Sequence, residues 1–346
     1  MKTCLFFVLL APQSTKVMSS FIQDLSIHFY AIPDNQSAEV LRYNTLALET
    51  ALNSLKPYDT LTILHNYHLH HGVNATELKD VIIQIDGSLH FERDFSEGWN
   101  DKTYHVDATI VRPKPCLTLD GGENITFTST NPKRGLIHGG GPQWWGVPFI
   151  GYIKLSEHRP RLFHAHRTVG LVMEHLILQD APFHSLNLWS VNHVLIHHIS
   201  IVSRRTTHDG HGLVDLSAFN TDGIDVSGHN IHVHDVDIWN QDDCIAVKDN
   251  DSRYDIVSSN MTFERINASG LGFVIGSIAG TTVRNITFRD SYLYKSYKGI
   301  YLKFREPESI WKQPGVIEDI LFENIIMESP QQWAIWIGPA QQTGGR

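Results

Sequence analysis

Cysteine is scarce in this chain: Cys4, Cys116 and Cys244 are the three present in 346 residues. That count excludes a disulfide scaffold, and if Cys4 leaves with a leader, at most one bridge remains. Positive charge is also short, with 28 lysines and arginines against 37 acids and a net charge of −9. That sign is wrong for nucleic acid, so no nucleic-acid partner is expected. An acidic polymer would need a local cationic cleft. Long apolar runs are missing after residues 5–11, so no membrane association is expected. Helical patterning is rare as well. Only residues 38–55 show it, with Val40, Leu41, Leu48, Ala51, Leu52 and Leu55 on one face and Pro57 beyond the end.

One lysine and the short apolar run at the N-terminus read as a secretory leader. Residues 1–22 are expected to be that leader, and residues 23–346 a single domain. Six sequons, at Asn35, Asn74, Asn124, Asn260, Asn267 and Asn285, agree with a secreted glycoprotein, although three recur at one place in a repeat. The 21 histidines are scattered. His164-x-His166 and His232-x-His234 are spaced to hold a metal on a strand but show no third ligand in register. They read as surface histidines, and no metal or cofactor is expected.

What the chain has in quantity is a short repeated motif. Alternating apolar residues recur at 171–178, 194–201, 231–238, 261–266, 286–293 and 320–327, with starts 23, 37, 30, 25 and 34 residues apart. Asn230, Asn260, Asn285 and Asp319 stand just before four of these copies. Second strands lie between them at 224–226, 244–247, 273–275, 300–304 and 334–337. Strands at 60–64 and 81–85 precede the series. Repeats of several short strands without helices between them predict an all-β, right-handed parallel β-helix, capped at its N-terminus by the single helix. A propeller is the alternative repeat architecture, and the uneven copy length disfavours it.

Two acidic clusters gain meaning from that architecture. They are Asn220-Thr221-Asp222-Gly223-Ile224-Asp225 and Gln241-Asp242-Asp243-Cys244-Ile245-Ala246-Val247. A shift of 21 residues lays Ile224 over Ile245, Val226 over Val247 and Asp222 over Asp243. Asp242, displaced by one, faces the other side of the strand or enters the turn. Converging carboxylates can hydrolyse a glycosidic bond, one protonating the leaving oxygen and another serving water or attacking directly. Mutual repulsion keeps one of them protonated. A calcium site or a solvated acidic turn is the alternative. The pair's place between Gln241 and an apolar strand, with a matching acid one coil back, favours catalysis.

These residues resemble the signature of glycoside hydrolase family 28, the polygalacturonase family. The likeness extends to His138-Gly139-Gly140-Gly141-Pro142-Gln143-Trp144-Trp145, Arg159-Pro160-Arg161-Leu162-Phe163, Ala181-Pro182-Phe183-His184 with Trp189, Ser269-Gly270-Leu271-Gly272 and Gly299-Ile300-Tyr301-Leu302-Lys303, covering roughly residues 38–340. The resemblance implies a right-handed β-helix that hydrolyses α-linked galacturonan with inversion, and a monomer is expected. Asp242 would be the general acid, Asp222 and Asp243 would activate water, and Lys303 would contact a sugar carboxylate. Asn220, Gln241 and Tyr301 are expected beside the substrate.

Three positions depart from the family pattern. Leu271 stands where a histidine is usual, and Tyr301 where an arginine is usual. Residues 267–268 lack the cysteine that would pair with Cys244. The missing bidentate arginine points away from plain polygalacturonate, and Tyr301 is expected to stack on a neutral sugar face of a mixed or modified pectic polymer. Arg204, Arg205, His208 and His211, in the loop before the first acidic motif, are candidate substitutes, with an ordinary solvated loop as the alternative. Trp144 and Trp145 are expected in the core rather than as sugar platforms. A coil-like strand close to Arg346 suggests a chain missing its last coils. The competing functions are a non-catalytic polysaccharide-binding β-helix, and a lyase with calcium on Asp225 and Asp249.

Overall fold

The structure, a computed structural model, describes residues 20–70, 72–93, 114–146, 159–205, 218–250, 255–305 and 313–339. Its core consists of apolar side chains stacked coil upon coil. In one such row Leu61, Ile83, Phe127, Met173, Ile196, Val233, Phe263, Phe288 and Phe322 follow one another in parallel register. The rings of Phe263, Phe288 and Phe322 stack at centroid separations of 4.5 and 5.0 Å. That is close to the spacing of about 4.8 Å that parallel pairing imposes on the backbone. Burying each ring contributes about 1.5–3 kcal/mol. The intervening residues point outward, which produces the alternation visible in the sequence.

Each full coil has three sides, and each side is a parallel ladder. One ladder runs through the repeated motif. Val172, Leu195, His232, Thr262, Thr287 and Leu321 are register partners in turn, so all five expected offsets are present. The same ladder reaches further upstream, through Val81, Ile125 and Leu171. A second ladder carries Ile224, Ile245, Phe273, Ile300 and Ile335 in register, and this one carries the acidic motifs. The third includes Asn66–His70 and Ser88–Glu92. Such strands form a right-handed β-helix and not a propeller.

Corners between ladders need backbone with positive φ. Asn124, Asn230, Asn260, Asn285 and Asp319 supply it at one corner, with φ between 53° and 59°. Asparagine and aspartate tolerate this region better than other side chains with a Cβ. Their amides also link the coils: Asn260 donates to Asn230 at 3.2 Å, and Asn285 donates to Asn260 at 2.8 Å. The asparagine before a copy, at 230, 260 and 285, is thus a corner residue and a rung.

The expected helix is α2, Ala38–Ser54, with the Ser37 hydroxyl accepting from the Val40 amide and Leu55 as its C-cap. Its buried face includes Asn44, which apolar patterning passes over. The Asn44 amide accepts from Ile32 N and donates to the carbonyls of Ile32 and His68, fixing the helix to the first coil. A short helix, α1 (Leu25–Phe29), precedes it, N-capped by Asp24. The expected leader lies outside the described residues up to residue 19. Beyond it, Ile22–Asp24 is a strand paired with Thr60–Ile63, and Phe21 O accepts from Thr60 N. At the other end, Ile335 and Ile337 of the last described strand are 61% and 69% exposed.

Candidate active site

The acidic motifs occupy the corner that leads into the second ladder. Ile224 and Val226 pair with Ile245 and Val247, and Gly223 N donates to Asp243 O at 2.9 Å. Asp222 and Asp243 therefore occupy equivalent places on adjacent coils, as the 21-residue shift predicts. Gly223 permits this approach, since a Cβ there would lie 2.3 Å from Cys244 O. Gly270 closes the corner from the next coil, where a Cβ would lie 2.0 Å from Asn240 Oδ1.

Asp242 sits in the bend and joins the other two acids. One carboxylate oxygen from each of Asp222, Asp242 and Asp243 lies within 4.8 Å of the others. Asn220 fixes Asp242 in place. With φ 59°, its backbone N and its Nδ2 both donate to Asp242 Oδ2, at 3.1 and 3.3 Å. The other oxygen, Oδ1, accepts from Asp243 N at 2.8 Å. Buried Asn240 supports the turn by donating to the carbonyls of Thr221 and Asp243. Gln241 is buried, and its backbone N donates to Thr221 Oγ1.

Two lysines enter this cluster. Lys303 Nζ contacts Asp243 Oδ2 at 2.6 Å. Lys248 Nζ reaches Asp225 at 3.2 Å and Asp222 and Asp243 at 3.6 Å, with 29% of its side chain exposed. His184 Nδ1 contacts Asp225 Oδ2 at 2.8 Å, and its Nε2 lies 3.7 Å from Asp222 Oδ1. Four carboxyl groups thus meet two ammonium groups among the described residues, and the balance is acidic.

The charge states follow. Burial pushes Asp222 well above the usual carboxylate range, and neighbouring Asp225 and Asp242 add to the push. Burial and then Asp243 raise Asp242 to about 7, against the pull of Lys303. Burial alone would raise Asp225 too, but Lys248 and His184 hold it below the usual range. Burial lowers His184 to about 4, so near neutral pH it is a neutral imidazole that can donate Nδ1–H to Asp225. The proton excess is therefore carried by Asp222 and Asp242.

Several expected contacts fall elsewhere. Tyr301 is 2% exposed, packed with Ala246, Val274 and Trp336, and its hydroxyl donates to Pro339 O. A buried ring cannot stack on a sugar, which corrects that expectation. Its faces instead meet cations, Lys298 at 4.2 Å and Lys303 at 5.0 Å. Arg204 is buried over Trp239, and Arg205 bonds Gly146 O and lies over Trp145, so neither is presented to a cleft as a loose clamp. His208 and His211 lie outside the described residues. Trp145 is buried and donates to Ala181 O, whereas Trp144 is half-buried beneath Arg93. Leu271 is buried, and its N donates to Asp242 O.

The calcium reading also fails on geometry. Asp225 is held by Lys248 and His184, while Asp249 accepts from the amides of residues 279–281 and from Arg305. Cys116 and Cys244 are free, buried thiols. Burial pushes Cys244 up to about 12, and its thiol donates to Asn240 Oδ1.

The family-wide sequence profile described as glycosyl hydrolases family 28 matches residues 69–340. The chain belongs to that family. Among curated members, a probable endopolygalacturonase A from Aspergillus kawachii is 28% identical over 275 residues, 77% of this chain and 66% of that protein. Endopolygalacturonase I from Aspergillus niger is 25% identical over 278 residues, 79% of this chain and 66% of that protein. The chain thus spans just under two thirds of the length of these relatives.

Solved structures from the family share the fold. The endo-xylogalacturonan hydrolase of Aspergillus tubingensis superposes with a TM-score of 0.71 at 17% identity, covering 94% of this chain and 78% of that one. The exopolygalacturonase of Thermotoga maritima gives 0.69 at 17% identity, covering 92% and 75%. Lys248 and Asn240 are members of the site that sequence reasoning passes over, and His184 enters it only as part of a likeness, with no role. Lys248 comes directly after the strand Ile245–Val247, and that closeness to Asp243 is the one available signal for it.

Proposed function

We propose that this protein hydrolyses an α-glycosidic bond in a galacturonate-containing pectic polymer. The observation that carries the reading is the excess of carboxyl groups over cations at one corner, which leaves Asp242 a proton near neutral pH. Asp242 gives that proton to the leaving oxygen as the bond to the anomeric carbon breaks. Water attacks that carbon, and its proton passes to Asp243. Asp222 orients the water from the adjacent coil. Asp243 becomes an effective base when a sugar carboxylate draws Lys303 away from it.

Inversion is the stereochemical outcome proposed. The triad is tighter than the separation of about 6.5–9.5 Å usual for inverting pairs. Yet Asp222 is held protonated, which leaves it no free nucleophile, and in the proposed step Asp243 serves the water rather than the anomeric carbon. Retention of configuration in the first product, read by proton NMR, would overturn this assignment.

Lys303 grips a carboxylate as a point charge, without the planar fork of an arginine. The proposed substrate is therefore a mixed or modified backbone, such as a rhamnogalacturonan-like or partly esterified polymer. The protein is proposed to act outside the cell, as a monomer.

The test is a panel of pectic polymers with parent and Asp242→Asn. The parent should release reducing ends from at least one polymer, and the variant should be slower by about 10²–10⁴-fold with its fold intact. Equal turnover by the variant would sink the hydrolase mechanism. Saturable binding without hydrolysis across the panel would favour the polysaccharide-binding reading, to which Leu271 and Tyr301 lend some weight.

A further inference from the structure

His232-x-His234 appears without a third ligand in the sequence, but the register supplies one. Glu174, His197, His234 and Glu264 are partners on four successive coils. The next residue on each of the first three coils is His175, His198 or Asp235, all at positive φ between 51° and 55°. This corner lies between two ladders that do not carry the acidic motifs. It gathers His175, His197, His198, His232 and His234. The rings of His197 and His234 stack at 5.0 Å with a 2° tilt, and His175 lies 5.3 Å from His198.

The same corner on later coils is built differently. There Arg265 pairs with Asp235 and Glu264, Arg289 pairs with Glu264, and Asn324 donates to Asp290. The fold closes this corner with opposite charges or amides, so five imidazoles are not a requirement of the turn. One ligand atom each from His198, His234 and Asp235 lies within 4.8 Å of the others. Two carboxylates stand behind the rings, with Glu174 3.1 Å from His197 Nε2 and Glu264 3.1 Å from His232 Nε2. They fix the two rings that pack against His234, with His197 stacked on it at 5.0 Å and His232 at 4.6 Å.

We propose that His198, His234 and Asp235 bind a divalent transition-metal ion of the zinc class. Two imidazoles and one carboxylate suit such an ion better than calcium or magnesium, which want oxygen donors. His175 or water completes the coordination. His234 Nδ1 lies 2.6 Å from Asp235 Oδ2. With the ion on one ring nitrogen of His234, the neutral imidazole keeps its proton on the other, so no proton need be lost. Asp235 also accepts from Arg265 Nε and Nη2, at 2.9 and 3.0 Å, and a lone pair on each of its oxygens is thereby used. The ion would clip two adjacent coils, or three if His175 joins. The proposal does not depend on the hydrolase reading.

The experiment is calorimetric titration of the full chain with Zn²⁺, together with Co²⁺ absorption as a report of coordination. Parent protein should take up one Zn²⁺ per chain and none of Ca²⁺ at this site. His198→Asn and His234→Gln should each weaken uptake at least tenfold and abolish the Co²⁺ band. His90→Asn, in the separate stack of His68, His90 and His138, should leave both unchanged. His198 is exposed, so its replacement leaves the core untouched. Absence of binding by the parent, or binding by both corner variants as tight as the parent's, would overturn the proposal.

Discussion

Lys248 lies among three carboxylates, and its removal would leave Asp222, Asp225 and Asp243 with less compensation than burial tolerates. Breaking a buried ion pair from one side costs about 3–5 kcal/mol. Lys248→Met should therefore lower the midpoint of urea unfolding near neutral pH, more than Lys79→Met at an exposed ion pair. Asp242 gives a prediction of opposite sign. Its carboxyl is raised from 3.8 to about 7 in the folded protein. The stabilisation linked to that proton is full below about pH 4 and is lost as pH rises through about 7. Activity that needs the same proton should fall over the upper part of that range. Asp242→Asn should then be catalytically poor, yet lose less stability than the parent between pH 4 and 7.5, as thermal unfolding at the two pH values would show. A parent whose activity rises steadily through pH 8 would contradict the proton assignment.

The stacked phenylalanines carry the strongest prediction at the level of the strand. Phe288 is fully buried between Phe263 and Phe322, and Phe288→Ala should cost about 3–5 kcal/mol, measurable as a shift of the denaturant midpoint. Strand periodicity is also where the sequence was most readable. The alternation of Val233, Phe263 and Phe288 with outward residues marked the coils, and the recurring asparagines marked their corners. The 21-residue shift located Asp222 and Asp243 because parallel pairing makes sequence offset a spatial measure. The upstream coils were harder to see. Ile125 and Leu171 are paired but 46 residues apart, a longer offset than any between the later copies, and that hides the period. His184 and Lys303 lie 41 and 60 residues from their acidic partners Asp225 and Asp243, so periodicity could not bring them to the site. Tyr301 was misplaced for a different reason. Its place in the motif gave no sign that Trp336 and Pro339 of the next coil would cover it.

In the molecule as a whole, each coil touches mainly its neighbours, so stability is close to a sum of coil and interface contributions. The asparagine rungs belong to this scheme, and three of them, Asn124, Asn260 and Asn285, are also sequons. Their Nδ2 atoms donate to Asp80, Asn230 and Asn260. Glycan transfer uses that same nitrogen. In a host that glycosylates the chain, coil closure and glycan transfer would compete for that nitrogen, because a linked glycan leaves it a single N–H. Mass spectrometry of folded material from a glycosylating host should find Asn124, Asn260 and Asn285 largely bare. Full occupancy of all three in a protein of undiminished thermal stability would show that the rungs are dispensable.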